Sequence, residues 1–140
     1  MKRFKIDIII DGPCSGNPII VDRKISFFGE VDPYKGVTID GIFFKDKVLI
    51  IPGTRGSTVG SYIIYALKEY DNAPRCIITR DVEPILIVGC MISSIPVFRI
   101  NDYEDFINYI RMLKKPLVRV YSSKGEVVVY EEGKRVPHSH

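Results

Sequence analysis

The sequence predicts an α/β fold: a β-barrel-like sheet packed on a small strand–helix layer. Three observations predict it. Residues 4–44 hold short apolar runs bounded by turn residues with no helical period, so this part is strand and loop. From residue 48 onward such runs alternate with helical patterns. A hairpin pattern over residues 116–130 closes the chain. A length of 140 residues suits one domain over 1–140, with a polar tail from about 131.

Residues 4–10 alternate imperfectly and then run apolar, as a strand does. Residues 11–18 are dense in turn formers and make a loop. Residues 19–21 are a short strand, and 26–28 a third apolar patch ending at Gly29. Residues 30–36 are a loop in which Asp32, before Pro33, reads most simply as a turn-starting aspartate. Residues 37–44 alternate as a strand, 45–47 break it, and 48–51 form a buried strand. Residues 62–70 are helical and stop at Asp71-Asn72-Ala73-Pro74. Residues 75–79 make another buried strand. Residues 81–94, apolar nearly all round, predict a short buried helix with Asp81 or Glu83 near its positive end and Gly89 where a neighbour packs closely. A strand over 96–100 precedes the clearest helix, 101–113. There Asn101 or Asp102 caps the start, acids fill the first turn, and Phe106, Ile107, Ile110 and Leu113 share a face.

Composition narrows the function. Hydrophobic residues are 46% and charged residues 26%, as in a folded protein. The net charge of +3 is mild, with no basic block, so nothing supports nucleic-acid binding. No apolar stretch is long enough to cross a membrane, and Asp7 and Asp11 interrupt the only segment resembling a secretory signal. The expected location is cytoplasmic. Cys14, Cys76 and Cys90 are scattered, with no C-x-x-C pair, and an odd count without a secretion signal predicts free thiols. Cys76 and Cys90 read as core packing, and Cys14, among glycines, as open to exposure. The two histidines, His138 and His140, lie in the tail, so no internal histidine serves as base, ligand or phosphate carrier. No residue set is spaced to hold a metal.

The stretch 51–61 organises the chemistry. It joins the buried strand to the helix with Gly53, Gly56 and Gly60 at the turn and Thr54, Ser57, Thr58 and Ser61 about the helix start. Unpaired N–H groups and the positive helix end collect at such a corner and favour an anion. Arg55 adds a two-pronged charged donor suited to carboxylate or phosphate. The loop matches neither the P-loop nor the dinucleotide fingerprint. Its plain alternative is a tight turn in which Ser57 or Thr58 caps the helix.

Several motifs in order resemble the small subunit of the aconitase X family: Ser26-Phe27-Phe28-Gly29-Glu30-Val31-Asp32-Pro33, Gly36 and Asp40, residues 48–61, Pro84-Ile85-Leu86-Ile87-Val88-Gly89, and Ile95-Pro96-Val97. Together they cover roughly residues 8–100. The resemblance implies a β/β/α swivelling domain that pairs with an aconitase X-type large subunit carrying an iron–sulfur cluster, with no cofactor bound by this chain alone. It implies a dehydratase. In the archaeal branch the reaction converts mevalonate 5-phosphate to trans-anhydromevalonate 5-phosphate in the modified mevalonate pathway, and a related branch acts on cis-3-hydroxy-L-proline. It further implies that Ser57 is the proton acceptor. Glu30 stands where the family pattern has a second glycine, and residues 41–47 are shorter than the family's stretch and lack its histidine.

Dehydrating a hydroxy acid needs a base for the proton beside the carboxylate, a Lewis acid for the hydroxide, and positive groups for the carboxylate. In this reading Ser57 is the base. Gly53, Thr54, Arg55, Gly56 and Thr58 bind the small anionic hydroxy-acid substrate, and the metal belongs to the partner. The other classes left open are a non-catalytic scaffolding subunit and an anion-binding module.

Overall fold

The structure, a computed structural model, describes residues 1–134. The first half of the chain holds β1 (Lys2–Ile10), β2 (Ser15–Gly16), β3 (Pro18–Ile20), α1 (Phe27–Glu30), β4 (Val31–Asp32), β5 (Val37–Thr38), β6 (Val48–Ile51) and α2 (Gly60–Glu69). Then come β7 (Cys76–Thr79), α3 (Pro84–Ser93), β8 (Val97–Ile100), α4 (Tyr103–Met112), β9 (Pro116–Tyr121) and β10 (Glu126–Glu131).

Eight strands form one sheet in the order β2-β9-β10-β1-β8-β7-β6-β3. Strands β3, β6, β7 and β8 run parallel, while β1, β10, β9 and β2 pair antiparallel. The two ends of that order, β2 and β3, are separated in the chain by Asn17 alone. The sheet must therefore curl until its edges meet, which gives the barrel-like form. The expected strand–helix layer is the parallel half of this same sheet.

Alternation along each strand divides the core. Val48, Ile50, Cys76 and Ile78 face inward with Phe98, Val127, Val129 and the apolar face of α4. Leu49, Ile51 and Ile77 face outward against Phe27, Ile64, Leu86 and Cys90 from the other helices. Strands β6 and β7 are thus buried on both faces, and they read as unbroken apolar runs for that reason. Each such buried side chain contributes about 1.5–3 kcal/mol by leaving water. Helices α2 and α3 pack closely because Gly89 has no side chain: a Cβ there would lie 2.7 Å from Ile64 Cδ1.

Several expectations need correction. The patch at 26–28 opens a short helix, because Ser26 Oγ accepts from Gly29 N–H and Glu30 Oε2 accepts from Ser26 N–H. Of the strand expected over 37–44, Val37–Thr38 alone forms one, paired with β4. The chain then turns at Gly41 (φ +86°) while Thr38 Oγ1 accepts from Ile42 N–H. Helix α3 is not wholly buried, since Val88, Met91 and Ile92 are exposed. Asp102 occupies the cap position of α4 without a side-chain bond. The free-thiol expectation fails for two of the three cysteines. Cys14 and Cys76 are joined as a disulfide, both buried, and Cys90 is the free one. At 131, the expected start of the polar tail, the chain is still strand. Glu131 ends β10, and Glu132 N–H donates to Lys115 O. His138 and His140 lie outside the described residues.

Candidate functional site

The parallel half of the sheet gathers its polar groups at one end. Arg23 follows β3, Arg55 and Ser57 follow β6, and Asp81 and Glu83 follow β7, all beyond the carboxyl ends of their strands. Open α/β sheets bind ligands at that end.

The loop 52–59 is pinned at its base. Gly53 O accepts from Ile25 N–H at 3.1 Å, and Arg55 N–H donates to Ile25 O at 3.0 Å. Thr54 N–H donates to Glu83 Oε1 at 3.0 Å. A Cβ at Gly53 would sit 2.8 Å from that carboxylate oxygen, so a side chain there would push Glu83 away. Gly53 and Thr54 are buried beneath the loop, and Arg55, Gly56, Ser57, Thr58 and Val59 are exposed above it. At Gly56 φ is +101°, the left-handed region that favours glycine, and a Cβ would stand 3.0 Å from Ser26 Oγ.

Ser57 is not a helix cap. The cap position of α2 is Val59, without a side-chain bond, and neither Ser57 nor Thr58 reaches the N–H groups of the first helical turn. Instead Ser57 Oγ accepts from Val59 N–H at 3.1 Å, a local turn bond, and Gly60, Ser61 and Tyr62 N–H close onto carbonyls of residues 57–59. The N–H groups of Gly56, Ser57 and Thr58 donate to no acceptor among the described residues. Three unpaired donors, an exposed hydroxyl and Arg55 therefore share one short loop.

Arg55 is held from below by a residue that the sequence reading noted as a family departure, with no role. Its Nη2 donates to Glu30 Oε2 at 3.1 Å. Glu30 is buried, and burial pushes its carboxyl up. The Ser26 N–H and the Arg23 and Arg55 guanidinium groups outweigh that push and hold it below the ordinary value. Arg23 also bonds Asp40 Oδ1 at 3.0 Å. The spacing Ser26-x-x-x-Glu30, close to a capping box, is the one sequence signal for the local bond. The reach to Arg55, 25 residues away, has none. Glu83, expected as a helix-end acid, stands at the cap position of α3 but directs its carboxylate to Thr54. Asp32 accepts from Tyr34 and Lys35 N–H, as a turn-starting aspartate does.

The chain's own donors do not suit an iron–sulfur cluster. Cys14 and Cys76 are consumed by their bond, and burial pushes the Cys90 thiol up to about 12. Among the described residues no group of three or more His, Cys, Asp or Glu is arranged to hold a metal. Beside the loop, Thr58, Ser61, Tyr62, Pro84, Val88 and Ile92 line a groove of about 290 Å³ between α2 and α3. Among the described residues no helix is long and apolar enough to cross a membrane.

The chain is similar to several known proteins. The phosphomevalonate dehydratase small subunit of Thermococcus kodakarensis is 37% identical over 131 residues, 89% of this chain and 94% of that protein. The protein of the same name from Aeropyrum pernix is 45% identical over 96 residues, 69% of this chain and 72% of that protein. A crystal structure of Thermococcus kodakaraensis aconitase X in its holo-form superposes with a TM-score of 0.80 at 35% identity, covering 94% of this chain and 100% of that one. The family model described as the aconitase X swivel domain matches residues 3–131, and the chain belongs to that family.

Proposed function

We propose that this chain is the small subunit of a two-subunit hydro-lyase, a phosphomevalonate dehydratase of the mevalonate pathway. It removes water from mevalonate 5-phosphate to give trans-anhydromevalonate 5-phosphate. The observation that carries the reading is identity across nearly the whole chain to a protein of that name. The exposed loop at the strand ends supports it.

The reaction breaks a C–H bond beside the carboxylate and a C–O bond on the next carbon. Ser57 Oγ, as the alkoxide, takes the proton, and the hydroxide would leave to the Lewis acid that the large subunit's cluster would supply. The Val59 N–H already donates to the serine oxygen, and a donor on the charged form favours it. Arg55 and the N–H groups of Gly56 and Thr58 hold the substrate's carboxylate or phosphate, in a loop where no acceptor among the described residues competes for those two N–H groups. Gly53 and Thr54 shape the floor on which those groups stand. The iron–sulfur cluster that the family resemblance implies belongs to the large subunit. That subunit docks on the α2–α3 groove, whose rim includes Thr58, so that docking closes the site against water.

The test is co-expression with an aconitase X-type large subunit, purification without oxygen, and assay on both mevalonate 5-phosphate and cis-3-hydroxy-L-proline. The expected result is turnover of the phosphate ester by the pair alone. Full-rate turnover by the lone chain overturns the shared site. Turnover of the hydroxyproline alone moves the chain to the other branch.

A further inference from the structure

Glu30 is 7% exposed, and its carboxylate takes donors from three residues on two segments beyond the carboxyl ends of the parallel strands. Arg23 Nε and Nη2 lie 3.3 and 3.2 Å from Oε1. Ser26 N–H lies 2.7 Å from Oε2 and Arg55 Nη2 lies 3.1 Å from the same atom. Capping α1 needs only the Ser26 bond. The other contacts make the carboxylate a junction between the segment after β3 and the Ser57 loop. Arg23 fills Oε1 and is itself fixed by Asp40, so Oε2 is left to face Arg55. The side chain of Arg55 is 60% exposed, with Nη2 engaged by Glu30 and its other donors open to a ligand.

We propose that Glu30 is a positioning residue of the dehydratase: it anchors the Arg55 guanidinium so that the remaining donors meet the substrate's anionic group. The inference rests on the proposed function in taking Arg55 as the group that holds that anion. An exposed arginine samples many rotamers and must be ordered when it binds, so a tether set in advance improves binding without touching substrate. Glu30 shares its single charge between Arg23 and Arg55, and Asp40 supplies Arg23 with a second carboxylate.

The experiment is a cycle of Glu30→Gln, Arg55→Ala and the double variant in the two-subunit complex, with mevalonate 5-phosphate as substrate. Glu30→Gln should raise KM about tenfold while kcat changes less than about threefold, the signature of lost binding in the ground and transition states alike. In the Arg55→Ala background the same change should move KM by less than about twofold, because nothing remains to be positioned. A residue that only caps α1 lowers the unfolding midpoint and acts equally in both backgrounds, and that result overturns the proposal. So does an unchanged KM for Glu30→Gln when Arg55→Ala alone impairs binding, an outcome that leaves the proposed function standing. Silence of Arg55→Ala itself removes the anion-holding role, and the positioning role with it. Should Glu30→Gln fail to assemble, Glu30→Asp keeps the charge, shortens the reach by one methylene, and is expected to show the same dependence on Arg55.

Discussion

A serine hydroxyl is a poor base until its surroundings favour the negative form, and at Ser57, the proposed base, the groups that would do so are local. The Val59 N–H donates to Oγ, free N–H groups flank it, and Arg55 lies two residues away. Ser57→Ala deletes one exposed turn bond and should cost at most about 1 kcal/mol of stability. In the complex its turnover should fall by at least ~10²-fold, the low end for losing a positioned base. Steady-state kinetics and thermal unfolding of this one variant separate the roles, and normal turnover removes the assignment. Beneath the loop, Glu30 ties stability to pH. Its folded-state pKa is held below 4.5, the ordinary value, by Ser26, Arg23 and Arg55 against the push of burial. Its charge therefore stabilises the fold fully above about pH 5, and that contribution is lost as pH falls through the depressed value. The unfolding midpoints of the wild type and Glu30→Gln should differ by a constant amount from pH 5 to 8 and converge in more acidic solution. A gap that widens on acidification contradicts the ion pairs seen around Glu30.

At the scale of elements, α3 shows where pattern reading runs out. Its run Pro84-Ile85-Leu86-Ile87-Val88 is apolar on every side, so periodicity cannot tell the covered face from the open one. The close approach at Gly89 was legible, because glycine marks tight packing, whereas the helix expected from residue 81 starts at Pro84, where proline sets the first turn. The exposure of Val88, Met91 and Ile92 was not legible, because it depends on what α2 leaves uncovered. The buried face of α4 was legible, since Phe106, Ile107 and Ile110 stand against charged neighbours, though the helix is Tyr103–Met112 within the expected 101–113. Helix α1, at four residues, is too short to show any period. The open face of α3 carries a prediction. Val88 and Ile92 are 51% and 54% exposed, so Val88→Glu with Ile92→Glu should leave the lone chain folded. Beside Tyr62 these residues line the groove proposed to receive the large subunit. Two buried charges in that interface should weaken association at least about tenfold, the loss of a single modest hot spot. Co-purification at wild-type yield moves the docking surface elsewhere.

Across the whole molecule, the proposed site and the closure of the sheet occupy opposite ends of the parallel strands. The Ser57 loop leaves β6 after Ile51, whereas Cys76 pairs with Val48 at the strand's other end. Three residues of strand, about 10 Å, separate those two levels. The loop's composition was legible, since glycines and hydroxyl residues between a buried strand and a helix are local signals. The Glu30–Arg55 contact and the Cys14–Cys76 bond were not, because they join residues 25 and 62 positions apart that only the curled sheet brings together. The bond ties the segment leading into β2, at one end of the strand order, to β7 in the parallel half, and so latches the curl. Closing a loop of that length removes unfolded-state entropy worth about 4 kcal/mol. Cys14→Ala with Cys76→Ala should therefore lower the unfolding free energy by an amount approaching that figure. The kcat of the assembled complex should stay within about twofold, because the bond lies away from the Ser57 end. Thiol titration in denaturant without reductant should find one reactive group, Cys90, rising to three after reduction. Three reactive thiols before reduction would show that the chain folds without the bond, and the closure would then rest on strand pairing and the inner core alone.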